Sequence, residues 1–198
     1  MPRIAFFDIE TRKGPKTLCP SDEQAGWERL RRGEGGISAL VIWDTKLQWA
    51  HLYDDTRKSL VTAAKHLEAV DAIVTHTGST FDVPCMEGVL GRAMVLKNHY
   101  DIYVETKKAC ALKGIKTTVG DLRLDTLCRK NLGRGKIEHG AHAEQLLADG
   151  RLADLFNYCA SDVQLTRDLF RFICEHGGLH INGHGWLPME IPEWMKIG

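Results

Sequence analysis

The sequence lacks an excess of charge of either sign, because 26 lysine and arginine residues balance 26 aspartate and glutamate residues. Without a global basic field, any nucleic acid must be held by a local patch of side chains. The sequence also lacks an apolar run of membrane-spanning length, and it shows no signal segment. We therefore expect no membrane partner.

The six cysteines include no C-x-x-C pair, so their spacing does not suggest a zinc ribbon. Their scatter is typical of reduced thiols in a cytoplasmic protein and not of a disulfide framework. Internal repeats and low-complexity linkers are absent too. A chain of 198 residues without such interruptions is long enough for one domain with a full core.

Two acidic residues follow the first apolar run of the chain, in the stretch FFDIET. Residues 4–7 are apolar and predict a strand that is buried on both faces. Asp8 and Glu10 are two positions apart, so an extended backbone directs both carboxylates to the same side. A hard divalent cation between them would offset their repulsion. The alternative is a strand that runs out into a solvated acidic turn.

The remaining pattern predicts an α/β domain. Up to residue 80 it indicates a helix over 21–32 capped by Ser21, strands over 37–43 and 47–52, a helix over 56–70 and a strand over 72–75. From Phe81 onward the pattern is mostly helical, with a long helix over 152–175. We expect a mixed central sheet, in which a three-strand antiparallel meander is joined by parallel strands and flanked by helices.

Two further segments carry polar residues in informative positions. Asp82 follows the strand over 72–75 and a Gly-Ser-Thr turn, so it should begin a helix at one end of the sheet. Alone, it also fits an ordinary helix cap. Tyr158 and Asp162 are four apart on the long helix and share one face. Alone, they also fit a buried hydroxyl that is satisfied by a carboxylate.

The order of these segments resembles the DEDD superfamily of 3′→5′ exonucleases, which have the ribonuclease-H-like fold. FDIET matches the first motif with Asp8 and Glu10, TFD matches the second with Asp82, and YCASD matches the third with Tyr158 and Asp162. Because the third motif carries a tyrosine, the sequence is similar in particular to the tyrosine branch of this superfamily. That branch includes the exonuclease domains of family B DNA polymerases and their stand-alone bacterial relatives.

The resemblance covers roughly residues 3–175, and it implies an exonuclease domain over 1–176. We expect the tail over 177–198, including Trp186 and Trp194, to pack on the same domain. The sequence departs from the family pattern at Thr77, where the second motif usually carries an asparagine. That departure removes no metal ligand, but we expect the missing side-chain amide to alter how the substrate strand or a loop is held.

The resemblance implies two Mg²⁺ or Mn²⁺ ions in the site. Asp8 would bridge both ions, and Glu10 and Asp162 would hold the ion that activates water. Asp82 would position the second ion, largely through water. The Tyr158 hydroxyl would orient the attacking water or the phosphate, since a phenol with a pKa near 10 is a poor base at neutral pH.

The expected substrate is a single-stranded nucleic acid, with DNA favoured over RNA, cut from its 3′ end to nucleoside monophosphates. Basic candidates for contact with its backbone are Lys107, Lys108, Lys113, Lys116, Arg129, Lys130, Arg134 and Lys136. Arg134 and Lys136, in a glycine-flanked loop, are favoured, and Thr11 and Phe81 adjoin the acidic motifs as further candidates. An exoribonuclease and an inactive nucleic-acid-binding domain remain the alternatives. Any processivity would have to come from a partner protein.

Overall fold

The computed structural model describes residues 2–136 and 142–195. In these residues the strands are β1 (Ile4–Thr11), β2 (Ile37–Asp44), β3 (Trp49–Tyr53), β4 (Ala72–Thr75), β5 (His99–Asp101), β6 (Gly178–Ile181) and β7 (Gly185–Pro188). The α-helices are α1 (Pro15–Leu18), α2 (Glu23–Arg31), α3 (Arg57–Ala69), α4 (Asp82–Leu90), α5 (Ile102–Leu112), α6 (Leu124–Leu132), α7 (His142–Ala148) and α8 (Leu152–His176). A short 3₁₀ helix follows at Glu193–Met195.

The first five strands form one mixed sheet in the order β3-β2-β1-β4-β5. β1, β2 and β3 pair antiparallel, whereas β4 pairs parallel with β1, and β5 pairs parallel with β4. The α/β class, the antiparallel meander and the parallel strands predicted from the sequence are confirmed. None of the helices in the described part of the chain is long and apolar enough to cross a bilayer.

β1 is the central strand, and helices cover both of its faces. Phe6 faces the layer that contains α5, α6 and α8, where its ring lies 5.8 Å from that of Phe170. Phe7 faces the opposite layer, in which Leu60 of α3 and Met86 of α4 are buried. Successive strand residues point to opposite faces, so an apolar run without alternation is what a strand covered on both sides requires.

The parallel strands bring three chain segments to one edge of the sheet. β1, β4 and β5 run in the same direction, so their carboxyl ends lie side by side. Asp8 and Glu10 lie at that end of β1, on the same side as Phe6 and therefore toward α8. In open α/β sheets this edge is where ligands bind.

The helix predicted over 21–32 begins later than expected. Asp22, and not Ser21, is its N-cap, and the Asp22 carboxylate accepts a hydrogen bond of 3.0 Å from the amide of Ala25. Both residue types cap helices well, so sequence alone did not distinguish them. A carboxylate has the additional advantage of its charge at the positive end of the helix dipole.

The prediction of a mostly helical second half was incomplete. It missed β5, which has three residues and is too short for a periodic signal, and it missed the β6–β7 hairpin. The Asn182-Gly183 pair, with φ of 73° at the glycine, is a turn signal that marks the hairpin. Trp194 packs on Phe170 with ring centroids 6.0 Å apart, whereas Trp186 is 41% exposed and lies against His180. Trp194 thus contacts the long helix α8, whereas Trp186 lies across the hairpin from His180 with part of its surface exposed.

Candidate active site

The carboxylates of Asp8 and Glu10 meet a thiol from α8. One ligand atom from each of Asp8, Glu10 and Cys159 lies within 4.8 Å of the other two. The Cys159 Sγ lies 3.3 Å from the backbone oxygen of Asp8 and 3.7 Å from its carboxylate. The described residues therefore contain a cluster of Asp, Glu and Cys that can hold a metal ion.

Asp82 reaches this cluster from the other side of the strand. It is the first residue of α4 and only 3% exposed, and its Oδ1 accepts a hydrogen bond of 3.2 Å from the amide of Ile9. Because Ile9 lies between Asp8 and Glu10, this bond holds the start of α4 against the acidic end of β1.

Tyr158 and Asp162 lie on the face of α8 that packs toward β1, and both are buried. The Lys136 ammonium bonds Asp162 Oδ2 at 2.5 Å and lies 5.7 Å from the centre of the Tyr158 ring. The other carboxylate oxygen, Oδ1, is buried without a hydrogen-bond partner among the described residues. A buried carboxylate oxygen without a donor is costly, and a cation ligated there would remove that cost.

The four carboxylates carry raised pKa values. Burial, followed by the charges of Asp82, Asp162 and Glu10, raises the pKa of Asp8 well above its ordinary value. Burial and the Asp162 charge raise the pKa of Glu10 to about 8. Burial raises the pKa of Asp82 to about 7, and it raises that of Asp162 although Lys136 opposes the shift. Such a cluster ionises fully at neutral pH only when cations compensate it.

Lys136 supplies part of this compensation. Burial lowers the pKa of its ammonium, but the charges of Asp162 and Asp8 raise it more, and the net shift is upward. The side chain therefore stays charged at neutral pH. One monovalent cation among four carboxylates leaves the cluster negative, and its oxygen donors are those that hard divalent cations prefer. The residues present therefore fit a divalent metal.

A cleft of about 1070 Å³ opens at this end of the sheet. Asp8, Glu10 and three of the predicted nucleic-acid contacts, Thr11, Phe81 and Lys136, line it. Trp27 of α2 lines it too, with its ring edge-on to that of Phe81 at 5.3 Å. Sequence analysis missed Trp27, because nothing in the sequence shows that α2 folds over the site.

Arg134, the fourth predicted contact, lies elsewhere. Its guanidinium pairs with the carboxylate of Asp168 on α8, and it is not among the residues that line the cleft. The structure therefore brings Lys136, and not Arg134, into the acidic cluster.

Asp101 organises the loop that precedes Asp82, and sequence analysis missed it. Its carboxylate accepts hydrogen bonds of 2.9 Å from the amides of Thr77 and Ser79. It also caps α5 through the amide of Tyr103 at 3.0 Å. An aspartate directly before a helix is a recognisable cap, but its second role depends on the pairing of β4 with β5.

Thr77 occupies a left-handed backbone conformation with φ of 69°, which disfavours β-branched residues and favours asparagine or glycine. Thr77→Asn should therefore relieve strain and stabilise the protein by about 1 kcal/mol. This gain would raise the melting temperature by roughly 2–4 °C in a chain of this size. Thermal unfolding checks it, with Thr77→Ala, which keeps the Cβ atom, as the control. A lower melting temperature for Thr77→Asn contradicts the strain.

The metal-free protein should lose stability as pH rises from about 5 to 8. An unfolded carboxyl titrates near pH 4, whereas folded Glu10 and Asp82 titrate near 8 and 7. Between these values the folded state holds protons that the unfolded state has released, so stability falls with rising pH. We expect a drop of roughly 5–10 °C in melting temperature, which saturating Mg²⁺ or Mn²⁺ reverses. A flat profile in a chelator would show that burial and the neighbouring charges do not raise the pKa values of Glu10 and Asp82 in the folded protein.

Lys136→Met should destabilise the metal-free protein at pH 8, because it removes the ammonium paired with the buried Asp162 carboxylate. The expected loss is about 2 kcal/mol, smaller at pH 5, where the carboxyls are protonated. Thermal melts at both pH values check this, with exposed Lys130→Met as the control. Equal losses at pH 5 and pH 8 would assign Lys136 a packing role instead.

Comparisons with known proteins bear on the fold. No family model and no curated protein matches this sequence. Among solved structures, the family B DNA polymerase of the hyperthermophilic archaeon Pyrobaculum calidifontis is similar, with a TM-score of 0.59 and 16% sequence identity. The similarity covers 88% of this chain but only 25% of the polymerase chain. Together with the five-stranded mixed sheet and its flanking helices, it is consistent with the ribonuclease-H-like fold that the sequence predicted.

Proposed function

We propose that this protein is a divalent-metal-dependent 3′→5′ exonuclease of the tyrosine branch of the DEDD superfamily. It would remove nucleoside monophosphates from single-stranded 3′ ends, with DNA favoured over RNA. The observation that carries the proposal is the convergence of Asp8, Glu10, Asp82 and Asp162, from three distant segments, into one group of interacting carboxylates, of which Asp8 and Glu10 line the cleft.

Asp8, Glu10, Asp82 and Asp162 would hold Mg²⁺ or Mn²⁺. When bound, these ions activate water and stabilise the leaving 3′ oxygen of a phosphodiester. Asp8 is central in the cluster, since its carboxylate interacts with the other three. Asp82 is held in place by the Ile9 amide, so its role depends on the backbone of β1 as well as on its own charge.

The Tyr158 hydroxyl would act as a hydrogen-bond donor. Burial and the neighbouring Asp162 charge raise the pKa of this phenol above its ordinary value. A phenol with a raised pKa stays protonated at neutral pH, so it orients a water or a phosphate oxygen and does not remove a proton. Its ring belongs to a buried cluster with Leu155 of α8 and with Ala143 and Leu146 of α7, and it lies beside Lys136.

The cleft suits an unpaired strand end. Trp27 and Phe81 present aromatic surface beside the carboxylates, and base stacking on such surface is tolerant of sequence. Lys136 offers a cation for a phosphate at the same place. The preference for DNA is supported by the resemblance of the motifs to family B polymerase exonuclease domains and by the DNA polymerase whose fold is similar.

Digestion of defined oligonucleotides tests the proposal. A 5′-labelled single strand should yield a descending ladder in Mg²⁺ or Mn²⁺, and a blocked 3′ end should resist. Ca²⁺ should not support cleavage, because its larger radius and looser coordination do not match the site's geometry. Cuts in a circular single strand would identify an endonuclease, and binding without cleavage in any metal would identify an inactive binding domain.

The same assay compares the sugars. DNA and RNA strands of one sequence, labelled with different dyes, are mixed and digested in one tube. DNA should disappear first. Faster loss of the RNA strand would make the protein an exoribonuclease that uses the same site.

A further inference from the structure

Cys159 places a thiol inside a cluster of oxygen ligands. The side chain is fully buried, and its Sγ lies within 4.8 Å of ligand atoms of both Asp8 and Glu10. Sulfur contributes nothing to a Mg²⁺ site, because that ion is ligated by carboxylates, carbonyls, phosphates and water. The proposed hydrolysis therefore does not use this thiol, whose Sγ lies 3.3 Å from the backbone oxygen of Asp8.

A second, independent feature that indicates a ligand is a buried carboxylate oxygen of Asp162. Asp162 is 4% exposed, and its Oδ1 is buried without a hydrogen-bond partner among the described residues. Cys159 and Asp162 are three residues apart on α8, so both lie on one face of the helix. The Asp162 charge interacts with Asp8, Glu10 and Cys159. The thiol, the carboxylates of Asp8 and Glu10 and the unpaired oxygen of Asp162 thus belong to one interacting group.

We propose that this constellation also binds a thiophilic divalent cation, Zn²⁺ or Co²⁺, with Cys159 as a direct ligand beside Asp8 and Glu10. The thiol proton passes to solvent as the sulfur–metal bond forms. Zn²⁺ accepts mixed sulfur and oxygen ligands in tetrahedral sites, and it binds such sites more tightly than Mn²⁺ does. The inference rests on the proposed function in one respect: an ion ligated in this way occupies the carboxylates that hydrolysis requires, so Zn²⁺ inhibits the Mg²⁺-dependent activity.

Cobalt spectroscopy on the metal-free full chain tests the proposal without reference to activity. Titration with Co²⁺ should produce a sulfur-to-cobalt charge-transfer band in the near ultraviolet, together with the strong visible bands of a tetrahedral site. Zn²⁺ added afterwards should remove both. Cys110→Ala, which deletes another buried thiol, on the core-facing side of α5, should keep the band.

Cys159→Ser and Cys159→Ala should each lose the charge-transfer band and bind Zn²⁺ about tenfold or more weakly. Serine keeps the side-chain size but offers oxygen, and alanine serves if the serine variant does not fold. The proposal is overturned if saturating Co²⁺ gives the wild-type protein no charge-transfer band, or if the band survives in a folded Cys159 variant. If the protein gives the charge-transfer band but never cleaves nucleic acid, the thiophilic metal site is supported and the proposed exonuclease activity is contradicted.

Discussion

Asp8→Asn should abolish metal-dependent hydrolysis, with a loss on the order of 10⁴-fold or more, as for other indispensable catalytic groups. Asp8 interacts with each of the other three carboxylates of the cluster. The amide keeps the volume of the side chain but removes the charge that the cations require. Rates of nucleotide release from a single-stranded oligonucleotide measure the loss, and calorimetry measures the accompanying loss of Mn²⁺ affinity.

The same substitution should stabilise the metal-free protein near pH 8, because it removes one of several mutually repelling carboxylates. Asp44→Asn is a matched control, for which we expect the opposite change in stability. Burial tends to raise the pKa of Asp44, but hydrogen bonds from Arg3 and His66 outweigh it and lower the pKa to about 2. That carboxylate is fully paired, so its loss should destabilise. If both variants melt below the wild type, repulsion in the acidic cluster is not significant.

Tyr158→Phe should slow hydrolysis by about 10²–10³-fold, by analogy with the loss of a positioned oxyanion-hole donor. The ring would keep its buried position and its contact with Lys136. Metal affinity and nucleic-acid binding should change little, because none of the proposed metal ligands is altered. Single-turnover rates at saturating Mg²⁺ separate this loss from weaker binding.

Asp162→Asn is the comparison for Tyr158→Phe. It removes the charge of a proposed metal ligand and the partner of Lys136, so the Mg²⁺ concentration needed for half-maximal rate should rise as the rate falls. If Tyr158→Phe stays within about twofold of the wild type, the hydroxyl does not take part in catalysis. Tyr158 would then serve only as a buried ring that packs beside Lys136.

The central strand and its two carboxylates could be predicted because they depend on local pattern. A strand covered on both faces must be apolar throughout, and the i, i+2 spacing directs Asp8 and Glu10 to the side that α8 covers. The long helix α8 could also be predicted from the sequence, because its helical pattern of apolar residues continues over 25 residues.

The supporting residues could not be predicted, because their roles depend on tertiary packing. The Asp101 carboxylate can accept a hydrogen bond from the Thr77 amide only because β5 pairs with β4. Cys159 follows Tyr158 in the sequence, but the sequence alone does not show that its sulfur contacts Asp8. Lys136 was predicted to contact the substrate, and the structure adds its ion pair with Asp162.

Release of 3′-terminal nucleotides from 5′-labelled single-stranded DNA tests the central claim most directly. The wild-type protein in Mg²⁺ should yield nucleoside monophosphates and a ladder that shortens from the 3′ end, whereas EDTA or Asp8→Asn should leave the strand intact. Undiminished cleavage in EDTA, or equal cleavage by Asp8→Asn, would contradict the account that four carboxylates hold the catalytic cations.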